Sequence, residues 1–209
     1  DVVFDAFDIN SARIQTIATS FIVLNDLTLT SLNNNAMNGS NLEVRRNLAM
    51  NGGLGCNKVI MNGTGAQTIS GAVNFPGSID INKASGTCSL TSNFTISGAS
   101  NNLTINNGEM IISGFNLTVP NLFTVKGKLT LLGTETVTVS GSSVGHANFT
   151  FPTGSTVEFT GAGTATLTNY SKTFYNVILG ASKTHEIATG VGNGITVNGT
   201  LSSAGTNGT

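Results

Sequence analysis

From Asn102 onward one short phrase keeps returning: NLTI at Asn102, NLTV at Asn116, LFTV at Leu122, KLTL at Lys128 and TVTV at Thr136, with Gly or Asn between most of them. An apolar residue at every second position over so few residues is the signature of a short, half-buried strand. Segments of the same kind come earlier, at Leu27 to Thr30, Lys58 to Met61, Gln67 to Ser70, Ser78 to Ile81 and Phe94 to Ser97. No window of helical length sustains a 3.6-residue apolar period, and Asp8 to Thr19 is the best helical candidate. The chain is expected to be all-β.

Strand starts about 6 to 14 residues apart suit an antiparallel β-sandwich or a parallel β-helix equally well. An internal echo favours the second. NGTGAQTIS from Asn62 returns as TGAGTATLT from Thr160, so that Gly63, Gly65 and Thr68 fall on Gly161, Gly163 and Thr166. Phe75, Ile79 and Ile81 are then answered by Phe174, Val177 and Leu179. Self-similarity at a long period, filled with shorter strand-and-turn units, is how a solenoid reads, because each coil buries its apolar face only against its neighbours. The expected fold is a parallel β-helix, right-handed as the resemblance described next implies: an apolar N-terminal segment over residues 1–30 and a solenoid body over 31–209, with the repeat at about 62–98 and 160–199.

The run from Thr64 to Leu131 resembles the degenerate Gly, Thr and Asn repeats of right-handed β-helices in surface and secreted proteins of bacteria, archaea and their viruses. The resemblance extends over roughly residues 40 to 200, is one of composition and rhythm, and brings no catalytic motif with it. The apolar opening from Asp1 to Leu24 departs from it, as do Pro76 and Pro120, which cannot donate a ladder hydrogen bond and so belong at corners.

On stacked coils alternate side chains point inward. Leu103, Ile105, Leu117, Val119, Val125, Leu129 and Leu131 are then expected in apolar columns, and Thr104, Thr118, Thr124 and Thr130 in water. Asn107, Gly108, Gly114, Gly127, Gly133 and Gly141 are expected at corners needing positive φ.

A solenoid has two open ends, each ready to recruit another strand. The opening segment, with Phe4, Phe7, Phe21 and Ile22, is expected either to cap its own coil or to make a subunit contact that extends a fibre head to tail.

Charged residues are 9% of the chain, against about 25% in ordinary soluble domains. Solubility therefore falls to 26 Asn, 26 Gly and 50 Ser plus Thr. A net charge of -1, with Arg45 and Arg46 the only adjacent basic pair, argues against nucleic acid as a partner. No apolar run is long enough to span a membrane as a helix. An opening on Asp1 rather than Met fits a processed secreted protein, so the expected location is extracellular, on a cell or a virion surface. Cys56 and Cys88 form either one disulfide or two buried thiols.

Little else suggests chemistry. His146 and His185 lack partners at metal-ligand spacing, the Gly-rich strings lack phosphate-loop spacing, and no cofactor is expected. Asp80, Glu109, Glu135, Glu158 and Glu186 read as isolated, solvated spacers rather than a converging catalytic pair. Glycosylation sequons begin at Asn38, Asn62, Asn93, Asn102, Asn116, Asn148, Asn169, Asn198 and Asn207. The chain is expected to be a non-enzymatic structural or adhesive rod, a filament subunit. The alternatives are a fibre segment that binds surface carbohydrate through Tyr170 and Tyr175, and, after that, a polysaccharide-cleaving enzyme.

Overall fold

The computed structural model describes residues 2–4, 7–9, 20–29, 35–50, 54–71, 75–145, 148–149, 151–160, 164–168, 171–181, 184–187 and 194–204. Among them every strand pair is parallel, and there is no helix. Antiparallel sandwiches require the opposite pairing, so the fold is a β-solenoid. Asp8 and Ile9, inside the helical candidate, belong to a strand, and residues 10–19 lie outside the described residues.

Sixteen strands form one sheet, bent into two faces, and six form a separate third face. Along the first face Phe21 pairs with Leu42, Leu42 with Val59, Val59 with Ile79, Ile79 with Leu103 and Leu103 with Phe123, so one coil takes 17 to 24 residues. Long strands turn the corner from the first face to the second without breaking. Ser78–Leu90 and Leu103–Ile112 pair on both faces, with register shifts on either side of Asn107. Such irregularities bend a strand and raise its twist, which is what a corner needs. On the third face Phe94, Leu117, Val137, Val157 and Val177 stack in register, each at most 2% exposed.

Alternation places the apolar columns inside as expected. Leu103, Ile105, Leu117, Val119, Val125, Leu129 and Leu131 are buried, while Thr104, Thr118 and Thr130 keep partial exposure. Thr124 departs from the rule: it is buried along with both its neighbours in Phe123–Val125. Each large apolar side chain so enclosed contributes about 1.5 to 3 kcal/mol.

Asn and Asp side chains clamp successive coils together at the strand entries. Asp26 accepts the Asn47 N–H and Asn47 accepts the Thr68 N–H, at 3.0 and 2.9 Å. A second ladder runs from Asn93 through Asn116 to Thr136. These bonds satisfy backbone donors that the sheet leaves free at a corner, a role that a short amide or carboxylate side chain fits.

The strand pairing and backbone place three further features of the chain's organisation. Residues 2–4 and 7–9 are ordinary rungs of the first two faces, paired with Phe21–Val23 and Leu27–Leu29, so these strands continue the same ladder as the body. The echo at Thr68 and Thr166 falls on different faces: Thr68 pairs with Ser89 on the second, Thr166 with Glu186 on the first. Glycines also serve two purposes. Gly108, Gly114 and Gly133 have positive φ as expected, but at Gly141 the constraint is space, since a Cβ there would lie 2.4 Å from the Asn121 carbonyl oxygen. Pro76 and Pro120 stand just outside strands, at corners.

Candidate functional site

A dense polar network lies inside the molecule, at the corner between the first and second faces. Ile79, Ile81 and Lys83 share one parity on Ser78–Leu90, and all three side chains are fully buried. Lys83 Nζ donates to the Gly63 carbonyl at 2.6 Å, to the Gly65 carbonyl at 2.8 Å and to Gln67 Oε1 at 2.7 Å. Three acceptors match the three protons of an ammonium group. Gln67, itself buried, receives the Gly63 N–H and donates Nε2 to the carbonyls of Val44 and Arg46, one coil earlier. One amine and one amide thus tie three coils together.

Burial pushes the Lys83 amine below the usual lysine range, an effect opposed by the neighbouring Cys88. The coil beyond leaves room because it carries Gly108: a Cβ there would stand 2.8 Å from Lys83 Cβ.

Outside this buried network the same corner opens to solvent as a cleft of about 490 Å³, lined by Leu24, Arg45, Arg46, Gly63, Thr64, Gly65 and Ala66. Arg45 pairs with Glu43 at 2.9 Å and Arg46 Nη1 reaches Asn25 Oδ1 at 3.4 Å.

A second buried charge was expected to be solvated. Glu135 is fully buried on the inward parity of Val137 and Val139. Its carboxylate accepts the N–H groups of Gly114, Leu132, Gly133 and Thr134 at 2.7 to 2.9 Å. Burial opposes its ionisation, but backbone N–H groups, those of Gly114, Leu132 and Gly133 among them, prevail and hold its pKa below the ordinary carboxylate range. Glu135 therefore closes a turn.

The other carboxylates singled out from the sequence lie at separate places on the coils. Asp80 pairs with Lys58, and Glu109 with Lys128 and Thr130, bonds that keep Glu109 ionised to lower pH than usual. Glu158 faces outward on the third face, and Glu186 lies in Thr184–Ile187 on the first. His185 pairs with Ala165, and His146 lies outside the described residues. Among the described residues no group of three metal-ligating side chains forms.

Cys56 and Cys88 are both buried free thiols, with burial raising each to about 12. Cys88 sits on the second face opposite Gln67, whereas Cys56 precedes the first-face rung of the coil before, so the two belong to different faces of different coils. Of the expected subunit contacts, Phe21 is 3% exposed inside the core and Ile22 faces outward, while Phe4 and Phe7 are placed by backbone register alone.

The sequons divide by what their amides do. Asn62 donates Nδ2 to Glu43 and is turned into the structure. Asn93, Asn102 and Asn116 use Oδ1 for the ladders, and Asn198 is exposed. Asn38 and Asn148 lie in strands, and Asn169 and Asn207 lie outside the described residues, as does Tyr170. Tyr175 is half-buried, its ring close to Gly199.

Lys83 and Gln67 were not singled out from the sequence. The signal available was parity, with Lys83 continuing Ile79 and Ile81, and Gln67 preceding Ile69 by two. No protein-family model, curated protein or solved structure matches the chain.

Proposed function

We propose that the chain is a rigid, non-catalytic rod of an extracellular or surface structure, lengthened by stacking one copy on the next. The observation that supports this reading is the end of the third-face column. Leu201 stands in register above Val177, in a column whose other members are at most 2% exposed, yet it is 59% exposed because no described residue covers it.

Among the described residues Thr184–Ile187 on the first face likewise pairs on one side only, with Thr164–Thr168. In a parallel stack such an edge accepts a strand of another copy. The contact is heterologous and propagates along the axis. Stiffness follows from ladders that run through every coil.

The test is to follow particle length against concentration by light scattering and electron microscopy. Rods that lengthen with concentration, and that shorten when Leu201→Asp places a charge on the open rung, bear the reading out. A parent that stays monomeric at millimolar concentration refutes stacking.

A further inference from the structure

We infer that the cleft over Lys83 is an oxyanion-binding site, built for the carboxylate or sulfate group of an acidic glycan. The inference stands apart from the stacking of rods and rests on the direction of two peptide groups.

Lys83 draws the carbonyls of Gly63 and Gly65 inward. Both peptides are trans, since the described chain contains no cis bond. In a trans peptide the N–H points opposite to the C=O, so the N–H groups of Thr64 and Ala66 point away from the amine and into the cleft. Neither meets an acceptor among the described residues. The intervening Thr64 carbonyl is held sideways by Ser85 Oγ at 2.8 Å. Two outward N–H groups on one short turn, fixed from behind by an ammonium ion, form a concave donor site of the kind that holds anions.

The charges reinforce it. Arg45 and Arg46 line the same cleft, and their backbone is clamped beneath the turn: Gln67 donates to the Arg46 carbonyl, and Gly63 packs so closely that a Cβ would stand 1.8 Å from the Arg45 oxygen. Glu43, the carboxylate paired with Arg45, is also engaged by Asn62. Among the described residues Arg46 meets only the neutral Asn25, at 3.4 Å. A guanidinium presents parallel donors that match a two-oxygen face, which selects carboxylate, sulfate or phosphate over chloride. The cleft is shallow and polar, suited to one such group on a larger molecule; Leu24, 47% exposed at its rim, would lie against a sugar ring.

The test is amide NMR on the ¹⁵N-labelled full chain, titrated separately with sodium glucuronate, sodium sulfate and sodium phosphate against sodium chloride at equal ionic strength. Saturable shifts centred on the Thr64, Gly65 and Ala66 amides, absent with chloride, are expected, and Arg46→Gln should weaken the binding by about tenfold or more. Arg46 is exposed, so that variant keeps the parent circular dichroism and melting curve. Tighter binding of glucuronate points to a uronic acid as the source, and tighter binding of sulfate or phosphate to an esterified sugar. Shifts that never saturate, that chloride reproduces, or that Arg46→Gln leaves unchanged overturn the site.

Discussion

Lys83 Nζ lies 2.7 Å from Gln67 Oε1, although the two residues are 16 apart in sequence and sit on adjacent coils. A cation in a mainly apolar interior is tolerated because every proton it carries has an acceptor.

Removing the cation while keeping its bulk isolates that effect. Lys83→Met leaves the Gly63 and Gly65 carbonyls without this donor and Gln67 Oε1 with the Gly63 N–H alone, and is expected to cost about 2 to 4 kcal/mol by urea unfolding. The pH dependence has a definite sign. The folded-state pKa of Lys83 is lowered by burial, so the unfolded chain holds the proton more tightly. Parental stability should therefore rise as pH climbs through the alkaline window below the unfolded lysine value of about 10.4, and the rise should be smaller in Lys83→Met. An equal slope in both proteins would place the amine in water.

Two glycines of similar backbone geometry separate conformational strain from steric conflict. Gly108 and Gly114 have φ of 80° and 76°, but a Cβ at Gly108 meets Lys83 whereas one at Gly114 meets nothing within 4 Å. Gly114→Ala should cost about 1 kcal/mol, the price of a positive φ alone, and Gly108→Ala distinctly more. Comparing both by thermal denaturation, equal costs would show that the coil yields around Lys83 freely.

Inside and outside on the third face are distinguished by a similar pair. Leu117 is fully buried and Thr118 partly exposed. Leu117→Ala is expected to cost about 2 to 5 kcal/mol and Thr118→Ala less than about 1. Chemical denaturation that gave the two equal costs would contradict the inward column.

The division between these residues was legible from the sequence because period-two alternation survives within each rung, as in Leu117, Thr118 and Val119. The buried polar residues were not legible for the same reason. Lys83 and Glu135 occupy inward parity, but a charged side chain at such a position is affordable only if a neighbouring coil brings acceptors or donors to meet it. Those partners include Gly63, 20 residues before Lys83, and Gly114, 21 before Glu135, and the offset between coils varies with each turn. The separation of Cys56 and Cys88 was equally silent, since it does not say on which face each thiol falls. The echo that sets Thr68 against Thr166 joins strands of different faces, because short strands of similar pattern recur on every face of a solenoid.

The thiols give a direct reading of that placement. With both pushed to about 12 by burial, neither is ionised near neutrality, and the thiolate is the reactive form. A disulfide-exchange reagent should leave the native protein almost unlabelled and titrate two thiols once it is unfolded. Rapid labelling of the native state, or no free thiol after unfolding in the absence of reductant, would contradict the buried, reduced pair.

Glu135 makes the acid limb of stability specific to one turn. Its folded-state pKa is lowered, because backbone N–H groups bind the carboxylate more strongly than burial penalises it. The stabilisation is therefore complete above the unfolded glutamate value of about 4.3 and is lost as pH falls from there through the folded value. Glu135→Gln keeps the shape and one carbonyl acceptor but brings an NH₂ group against donors, so it should destabilise by about 2 to 4 kcal/mol at neutral pH. The loss should shrink as the parent is acidified, because protonated Glu135 also presents a donor where an acceptor is needed. Glu109→Gln supplies the control: that side chain is partly exposed, and its ion pair with Lys128 lies where solvent screens it, so about 1 kcal/mol or less is expected. Urea midpoints of the three proteins between pH 3 and pH 7 decide the matter. Parallel curves for the parent and Glu135→Gln would mean that the carboxylate is not the group holding the turn.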